Sequence, residues 1–404
     1  MKKVLCVFLS LMLLLGCLAG CASSEKPQND NAGNDAAQSV PAPEAAQAQE
    51  DAVQEASVQT AVQIPADLPH YKIGVSYTSF TTAIGALYKA SLESLGEAYH
   101  VEFVFLESSG ASSEQAQMAL DTALQSGLDG LISVSASASI MESAKTAGDI
   151  PVVAFQFVPR NDDVQAELVS YSNYLGSVAS DDYACGMAAA DALYEAGSKN
   201  IAVCAMTPGL SKSQDQRVAG FLDGVAQHDD MKVIADDYSR GDYATAISAF
   251  AAAYPEMDGI FATFANESVY QTIFSEGLVG TVKLATADIS DSVPDFLDSG
   301  TLVYVNSGNL IMESFAVLYN YLYDGTKLIP DGSVVYFPFI DIHSSEEYET
   351  YMKYVEGELP VYMPEELAEL IHGFNPEMTA EKLLELADAY SLDSIVARHK
   401  GMVE

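Results

Sequence analysis

Side chains that titrate, coordinate or attack are the first place to look for chemistry, and most of them here point away from catalysis. The six histidines, His70, His100, His228, His343, His372 and His399, are scattered and never fall at metal-ligand spacing. No Walker A loop, G-x-G-x-x-G or G-x-S-x-G segment occurs, and the single S-x-x-K, Ser23 to Lys26, lies in a polar low-complexity stretch. Asp and Glu are so abundant that neighbouring pairs carry no glycosidase signal. The residues therefore predict no enzyme, no metal centre and no cofactor. Arginine is the informative exception: there are only four, Arg160, Arg217, Arg240 and Arg398, and Arg217 opens an otherwise apolar turn, Arg217-Val218-Ala219-Gly220-Phe221. A guanidinium is a rigid fork of donors suited to vicinal hydroxyls or a carboxylate. Arg217 is thus a candidate ligand-binding residue.

The elements that must position such groups follow one rhythm. Short β-branched runs ending in turn residues alternate with segments of helical period, which is the signature of βα units and parallel sheets. Strands are expected over Lys72 to Tyr77, Val101 to Leu106, Gly130 to Val134 and Pro151 to Phe155, with helices over Thr82 to Ala98, Ser112 to Ser126 and Ser139 to Ala147. The stretch Phe157 to Val178 reads as a link. A second set follows: helices Asp181 to Ala196, Gln214 to Gln227, Tyr243 to Ala253, Ser268 to Glu276, Val293 to Leu297 and Ile311 to Tyr323 interleave with strands Ile201 to Met206, Lys232 to Ala235, Gly259 to Phe264, Val282 to Ala287 and Leu302 to Val305. The fold class is α/β, with two doubly wound Rossmann-like lobes and a multi-strand hinge. Asn266, Asp288 and Asn306 follow strand ends, where open α/β sheets bind ligands; Asn266 and Asp288 are equally suited to cap a helix.

The lobes are expected to comprise residues 70–178 with about 307–335, and 179–306 with about 336–343. The tail from 344 to 404 is helical in character, in segments Ser344 to Glu356, Pro364 to Ile371, Thr379 to Tyr390 and Leu392 to His399. It reads as a cap packed on one lobe or as a contact surface.

Lys+Arg total 18 against 57 Asp+Glu, a formal net charge of -39. Such a field repels phosphate backbones and acidic membrane surfaces, so a nucleic-acid partner is excluded and a phosphorylated ligand disfavoured. The hydrophobic content of 49% is too high for a disordered acidic chain. A cleft with little positive charge should prefer a neutral, hydroxyl-rich or cationic ligand.

Met1, Lys2 and Lys3 followed by the apolar run Val4 to Leu15 form the n-region and h-region of a secretory signal, too short to span a membrane as a helix. Leu18-Ala19-Gly20-Cys21 resembles the bacterial lipobox. A signal peptide over 1–20, lipidation at Cys21 and a flexible tether over 21–69, without aromatic residues from Ala22 to Pro69, are expected. The resulting address is the extracytoplasmic face of a bacterial membrane, held there by lipid alone. Cys185 and Cys204 sit in apolar surroundings and are expected to be buried free thiols.

An exported chain of two doubly wound lobes resembles the type I periplasmic-binding-protein family, the ribose- and galactose-type solute receptors and the ligand core of lactose-repressor-like regulators. The resemblance rests on Lys72-Ile73-Gly74-Val75-Ser76 with the turn Thr78-Ser79-Phe80, on Gly127 to Ile132, on Ala179 to Ala189 and above all on Arg217-x-x-Gly220-Phe221. It covers roughly Tyr71 to Ile340. It implies that Arg217 binds ligand hydroxyls in the cleft, that Asn266 and Asp288 stand at second-lobe strand ends, and that Asn306 takes a position often held by Gln. The first lobe departs from the family. Gln156 and Phe157 stand where sugar-binding relatives often carry a charged element, and Tyr77, Phe80 and Phe157 offer ring faces to an apolar ligand face. Core packing competes for Phe157.

The expected function is a monomeric, lipid-anchored solute-binding protein that captures a small neutral hydroxylated ligand, a sugar or sugar-like molecule, and delivers it to an ABC-type permease. Its lobes would hinge near Ser177 to Ser180 and Val305 to Ser307. A sensory receptor for a membrane kinase or chemoreceptor, or a nucleoside-type binder, is the alternative.

Overall fold

The computed structural model describes residues 62–239, 241–357 and 359–399. The signal sequence, Cys21, the tether before residue 62 and Arg240 lie outside the described residues. The last tether residues, 62–69, have no regular structure and lie on the body, where the Val62 N–H donates to Glu369 at 3.3 Å.

In the first lobe β1 (Tyr71–Tyr77), α1 (Ala83–Gly96), β2 (Val101–Glu107), α2 (Ser113–Gln125), β3 (Gly130–Ser133), α3 (Ala138–Gly148) and β4 (Val152–Phe155) follow the expected rhythm. The stretch read as a link instead holds α4 (Asp162–Val169) and β5 (Tyr174–Ser180). Every residue of β5 is buried, yet Gly176, Ser177 and Ser180 dilute its apolar signal below what periodicity can detect. The second lobe comprises α5 (Asp182–Glu195), β6 (Asn200–Cys204), α6 (Lys212–Val225), β7 (Lys232–Asp237), α7 (Tyr243–Ala253), β8 (Gly259–Ala262), α8 (Glu267–Ser275), β9 (Lys283–Thr286), α9 (Val293–Asp298) and β10 (Leu302–Ser307). The chain then returns to the first lobe through α10 (Ile311–Asp324) and β11 (Val334–Phe337), and crosses again to β12 (Ile340–Ile342).

The two sheets repeat one topology. Their orders are β11-β5-β4-β3-β1-β2 and β12-β10-β9-β8-β6-β7. All pairings are parallel except β10 with β12. In both, the winding reverses beside the first strand, so both sets of strand C-terminal ends face the space between the lobes. The strands β3, β4 and β8 are buried throughout, as parallel strands covered by helices on both faces must be.

The tail forms α11 (Ser345–Tyr354), α12 (Pro364–Leu367), a 3-10 turn (Ala368–Leu370), α13 (Ala380–Asp388) and α14 (Leu392–His399). It does not cap one lobe; it spans both. Helix α11 packs on α9 and β12 of the second lobe, whereas Tyr99 of the first lobe donates to Pro364 O at 2.8 Å and Asn320 donates to Leu370 O at 2.8 Å. Tyr390 reaches Asn309 O, between β10 and α10, at 3.4 Å.

Helix α10 is buried on all sides from Ile311 to Asn320, which marks a core helix. Glu313 within it is fully buried beneath the tail, and neither carboxyl oxygen has a hydrogen-bond partner in the protein. Burial pushes its carboxyl up from 4.5 to about 7, against weaker opposing effects of its own backbone N–H, the Tyr362 hydroxyl and the Arg398 charge nearby. Below about pH 4.5 folded and unfolded chains both hold this proton. Between about 4.5 and 7 only the folded chain does, so this group makes stability fall as pH rises across that window. Thermal melts from pH 4 to 8 should therefore fall less steeply in Glu313→Gln than in the parent over that interval. Equal pH slopes in the two proteins would rule the assignment out.

Candidate functional site

Three chain crossings join the lobes: Ser180 to Asp182, Ser307 to Ile311 and Phe337 to Ile340. They are bound to one another. Asp181 N–H donates to Phe337 O at 2.8 Å, and the Gln156 side chain donates to Ser180 Oγ at 3.1 Å and Gly308 O at 3.4 Å while accepting from Ser180 N at 3.1 Å. Tyr88 adds a hydrogen bond to Gly308 O at 3.3 Å.

In front of these crossings lies an interlobe cavity of about 370 Å³. Its first-lobe wall is Thr82, Ala83 and Ile84 at the start of α1, and its second-lobe wall is Ala265 to Glu267 and Asp288 to Asp291. Ser307 closes it at the crossing, and Glu356 arrives from the tail. The second-lobe residues come from the loops after β8 and β9, where sheet geometry places them.

Asp288 is the centre of this wall. Its φ is 72°, a left-handed conformation uncommon among non-glycine residues and adopted most readily by Asp and Asn. Its backbone is tied to the next strand: Asp288 N–H donates to Asn306 O on β10 at 2.9 Å. Gln156 repeats the arrangement in the first lobe, with φ 50° and its N–H on Val178 O of β5 at 2.7 Å. The two residues occupy equivalent positions of the two sheets. Surrounding protein pushes the Asp288 carboxyl up, Arg217 opposes this and Asp182 adds to it, although the side chain itself stays open to the cleft. Asn266 holds the N-cap position of α8 but makes no capping hydrogen bond. Its Oδ1 accepts from Ser268 at 2.6 Å and its side chain stays exposed on the cavity wall.

The other expected residues have different surroundings. Tyr77 is half-buried in a ring cluster with Tyr88 at 5.2 Å, Phe80 at 5.8 Å and Phe155 at 5.9 Å; burial raises its hydroxyl's pKa and the charge of Asp288 adds to this. It does not line the cavity, yet the charge of Asp288 on the opposite lobe reaches it. Phe80 packs edge-on against Phe105 at 4.9 Å and belongs to the core. Phe157 packs with Val164 and Tyr171 against the outer core of the first lobe, so packing claims it. Gln156 ties the crossings together, as described.

Arg217 does not line the cavity. It is 6% exposed and sends Nε and Nη2 to Asp182 Oδ1 at 3.0 and 2.6 Å, while Nη1 donates to Thr263 O at the end of β8. Burial alone would lower its pKa, but Asp182 beside it holds it above the ordinary range. Asn306 is fully buried, and its Nδ2 donates to Cys185 Sγ at 3.1 Å and Tyr304 Oη at 2.8 Å. Cys185 and Cys204 are buried free thiols, pushed up to about 11 and about 12 by burial.

Glu267, Ser290 and Asp291 were within reach of sequence reasoning, since each neighbours a strand-end residue already singled out. Glu356 carried no such signal, because its role depends on where the tail crosses. Among the described residues there is no group of three or more His, Cys, Asp or Glu able to hold a metal, and no helix long and apolar enough to cross a membrane.

Residues 73–326 match the family described as a periplasmic binding protein domain. No curated protein sequence matches the chain significantly. Among solved structures, an ABC transporter solute-binding protein from Agrobacterium vitis bound with alpha-D-tagatopyranose is similar at 21% identity, with a TM-score of 0.57 over 68% of this chain and 95% of that one. A periplasmic solute-binding protein from Actinobacillus succinogenes with bound D-allose gives 18% identity and a TM-score of 0.60 over 70% and 100%. A carbohydrate transporter solute-binding protein from Agrobacterium radiobacter in complex with D-arabinose gives 17% and 0.57 over 71% and 99%. At such identities the likeness is one of fold.

Proposed function

The chain belongs to the periplasmic binding protein family, and from that premise we propose that it captures a small hydroxylated ligand without negative charge, a sugar or sugar-like molecule, between its lobes. Binding rather than turnover is the activity that goes with this family. The observation that carries the reading is Asp288, held in a left-handed conformation at a strand end with its carboxyl open to the interlobe cavity. A carboxylate there accepts hydrogen bonds from ligand hydroxyls, while Thr82 and the first turn of α1 supply polar groups from the opposite lobe. Contacts from both sides favour the closed arrangement of the lobes. The sugars bound by the three solved relatives support the same ligand class.

In this reading Cys21 carries lipid, the tether holds the body at the extracytoplasmic face of the membrane, and the closed form docks on an ABC-type permease. A thermal-shift screen with sugars, polyols and nucleosides identifies ligands, because a tight one raises apparent stability by mass action. The decisive variant is Asp288→Asn, since asparagine also tolerates the left-handed backbone and so preserves the fold. Its affinity for a ligand found in the screen should fall about tenfold to a hundredfold by calorimetry, the value of a hydrogen bond to a charged group. Unchanged affinity in Asp288→Asn would place the ligand elsewhere.

A further inference from the structure

The tail brings an unexpected group to the cavity. Helix α11 packs on the second lobe and Pro364 at the start of α12 is hydrogen-bonded to the first, and Glu356, just after α11, lines the cavity. Its Oε2 is buried with no hydrogen-bond partner in the protein. Tyr351, fully buried one turn earlier, stands beside Ser307 and Glu356, and its hydroxyl favours the charged form of the Glu356 carboxyl. Ser290 Oγ on the facing wall is likewise buried and unpartnered. Polar atoms are rarely left so in a folded chain, and two of them, on Glu356 and Ser290 of one cavity, point to a partner that enters it.

The charge of the cavity says which partner. Glu267, Asp288, Asp291 and Glu356 line it, and among the described residues no Lys, Arg or His does. Arg217, whose charge reaches Asp288, is engaged by Asp182 and Thr263. Burial raises the Glu356 carboxyl, Tyr351 opposes this and Asp288 adds to it, so these two carboxylates repel one another across the cavity. The first-lobe wall is of the other kind, a helix start with no acidic residue in its first turn. Ligand oxygens therefore suit the α1 side and a positive group suits the carboxylate side.

We infer that Glu356, delivered by the C-terminal extension, binds ligand together with Asp288, and that the two select a hydroxylated ring bearing a protonated amine, the amino-sugar class. The inference rests on the sugar-binding reading above and narrows it. It also gives the extension a purpose that the family does not supply, since the family match ends at residue 326. Glu356 acts as a specificity-determining residue: an ammonium between two carboxylates relieves their repulsion, and a hydroxyl in its place does not.

The test uses matched pairs, glucosamine with glucose and galactosamine with galactose, titrated calorimetrically into the full chain. At least one amine should bind about tenfold or more tightly than its hydroxyl parent, with a preference that weakens as salt rises. Glu356→Gln should abolish most of that preference, lowering the affinity for the amine about tenfold more than that for the parent sugar, and its unfolding midpoint without ligand should match the parent protein's. Glu356→Asp, which keeps the charge, should retain part of the preference. Parent sugars binding as tightly as their amines, or an amine preference that survives Glu356→Gln, overturns the inference and leaves the sugar-binding reading standing. Failure of all four to bind, while a nucleoside or another non-sugar compound binds in the screen, overturns both.

Discussion

Arg217→Ala should destabilise the protein by about 3–5 kcal/mol, the usual cost of breaking a buried ion pair from one side. Asp182 is 5% exposed and would keep its charge with no counter-ion. The Thr263 carbonyl at the end of β8 would lose its donor as well. In urea unfolding followed by circular dichroism, the midpoint should fall sharply with little change in slope. Arg217→Met combined with Asp182→Leu should recover much of the loss, because it removes both charges and leaves no orphan. A midpoint in Arg217→Ala within about 0.5 kcal/mol of the parent, the ordinary range for a surface change, would show that the pair is not structural and return Arg217 to the ligand.

Gly186→Ala should cost about 3 kcal/mol or more. Helices α5 and α6 cross at very close range, with Gly186 and Gly220 at the contact. A Cβ on Gly186 would stand 2.0 Å from Arg217 O and 2.6 Å from Phe221 N, and one on Gly220 would stand 2.0 Å from Tyr183 O. The obstacles are backbone atoms, so no side-chain rotation relieves them. The helices must separate, and α6 carries Arg217 away from Asp182, so this variant should also weaken the ion pair. An unfolding midpoint within experimental error of the parent would mean that the two helices do not cross there.

These two cases explain how the most family-like segment can be legible while the surroundings of its residues are not. Arg217 and Gly220 stand out in the sequence because residues of their types are scarce or oddly placed there. What they do depends on α5, some thirty residues away, which presents Asp182 to one and a bare backbone to the other. The same holds for Gln156 and Asn306. Periodicity places both at strand ends, but only the neighbouring strand and the chain crossings decide whether such a side chain faces the cleft, a hinge or the core. Asn266 and Asp288 line the cavity because each follows a strand and no residue remote in the chain engages its side chain; Asn266 is held only by Ser268 in its own loop.

The sequence by itself determined the α/β rhythm, the helix Ile311 to Tyr323, the helical tail and the acidic, arginine-poor character of the chain. These are local properties, set by periodicity, turn residues and composition. Strand β5 escaped because its small hydroxyl and glycine residues are buried by contacts remote in the chain. Only the tertiary structure decided that the tail spans both lobes and brings Glu356 to the cavity. A helix's period tells which face is apolar but not what that face meets, and the meeting of residue 356 with residues 82, 267 and 288 exists only once both lobes are folded.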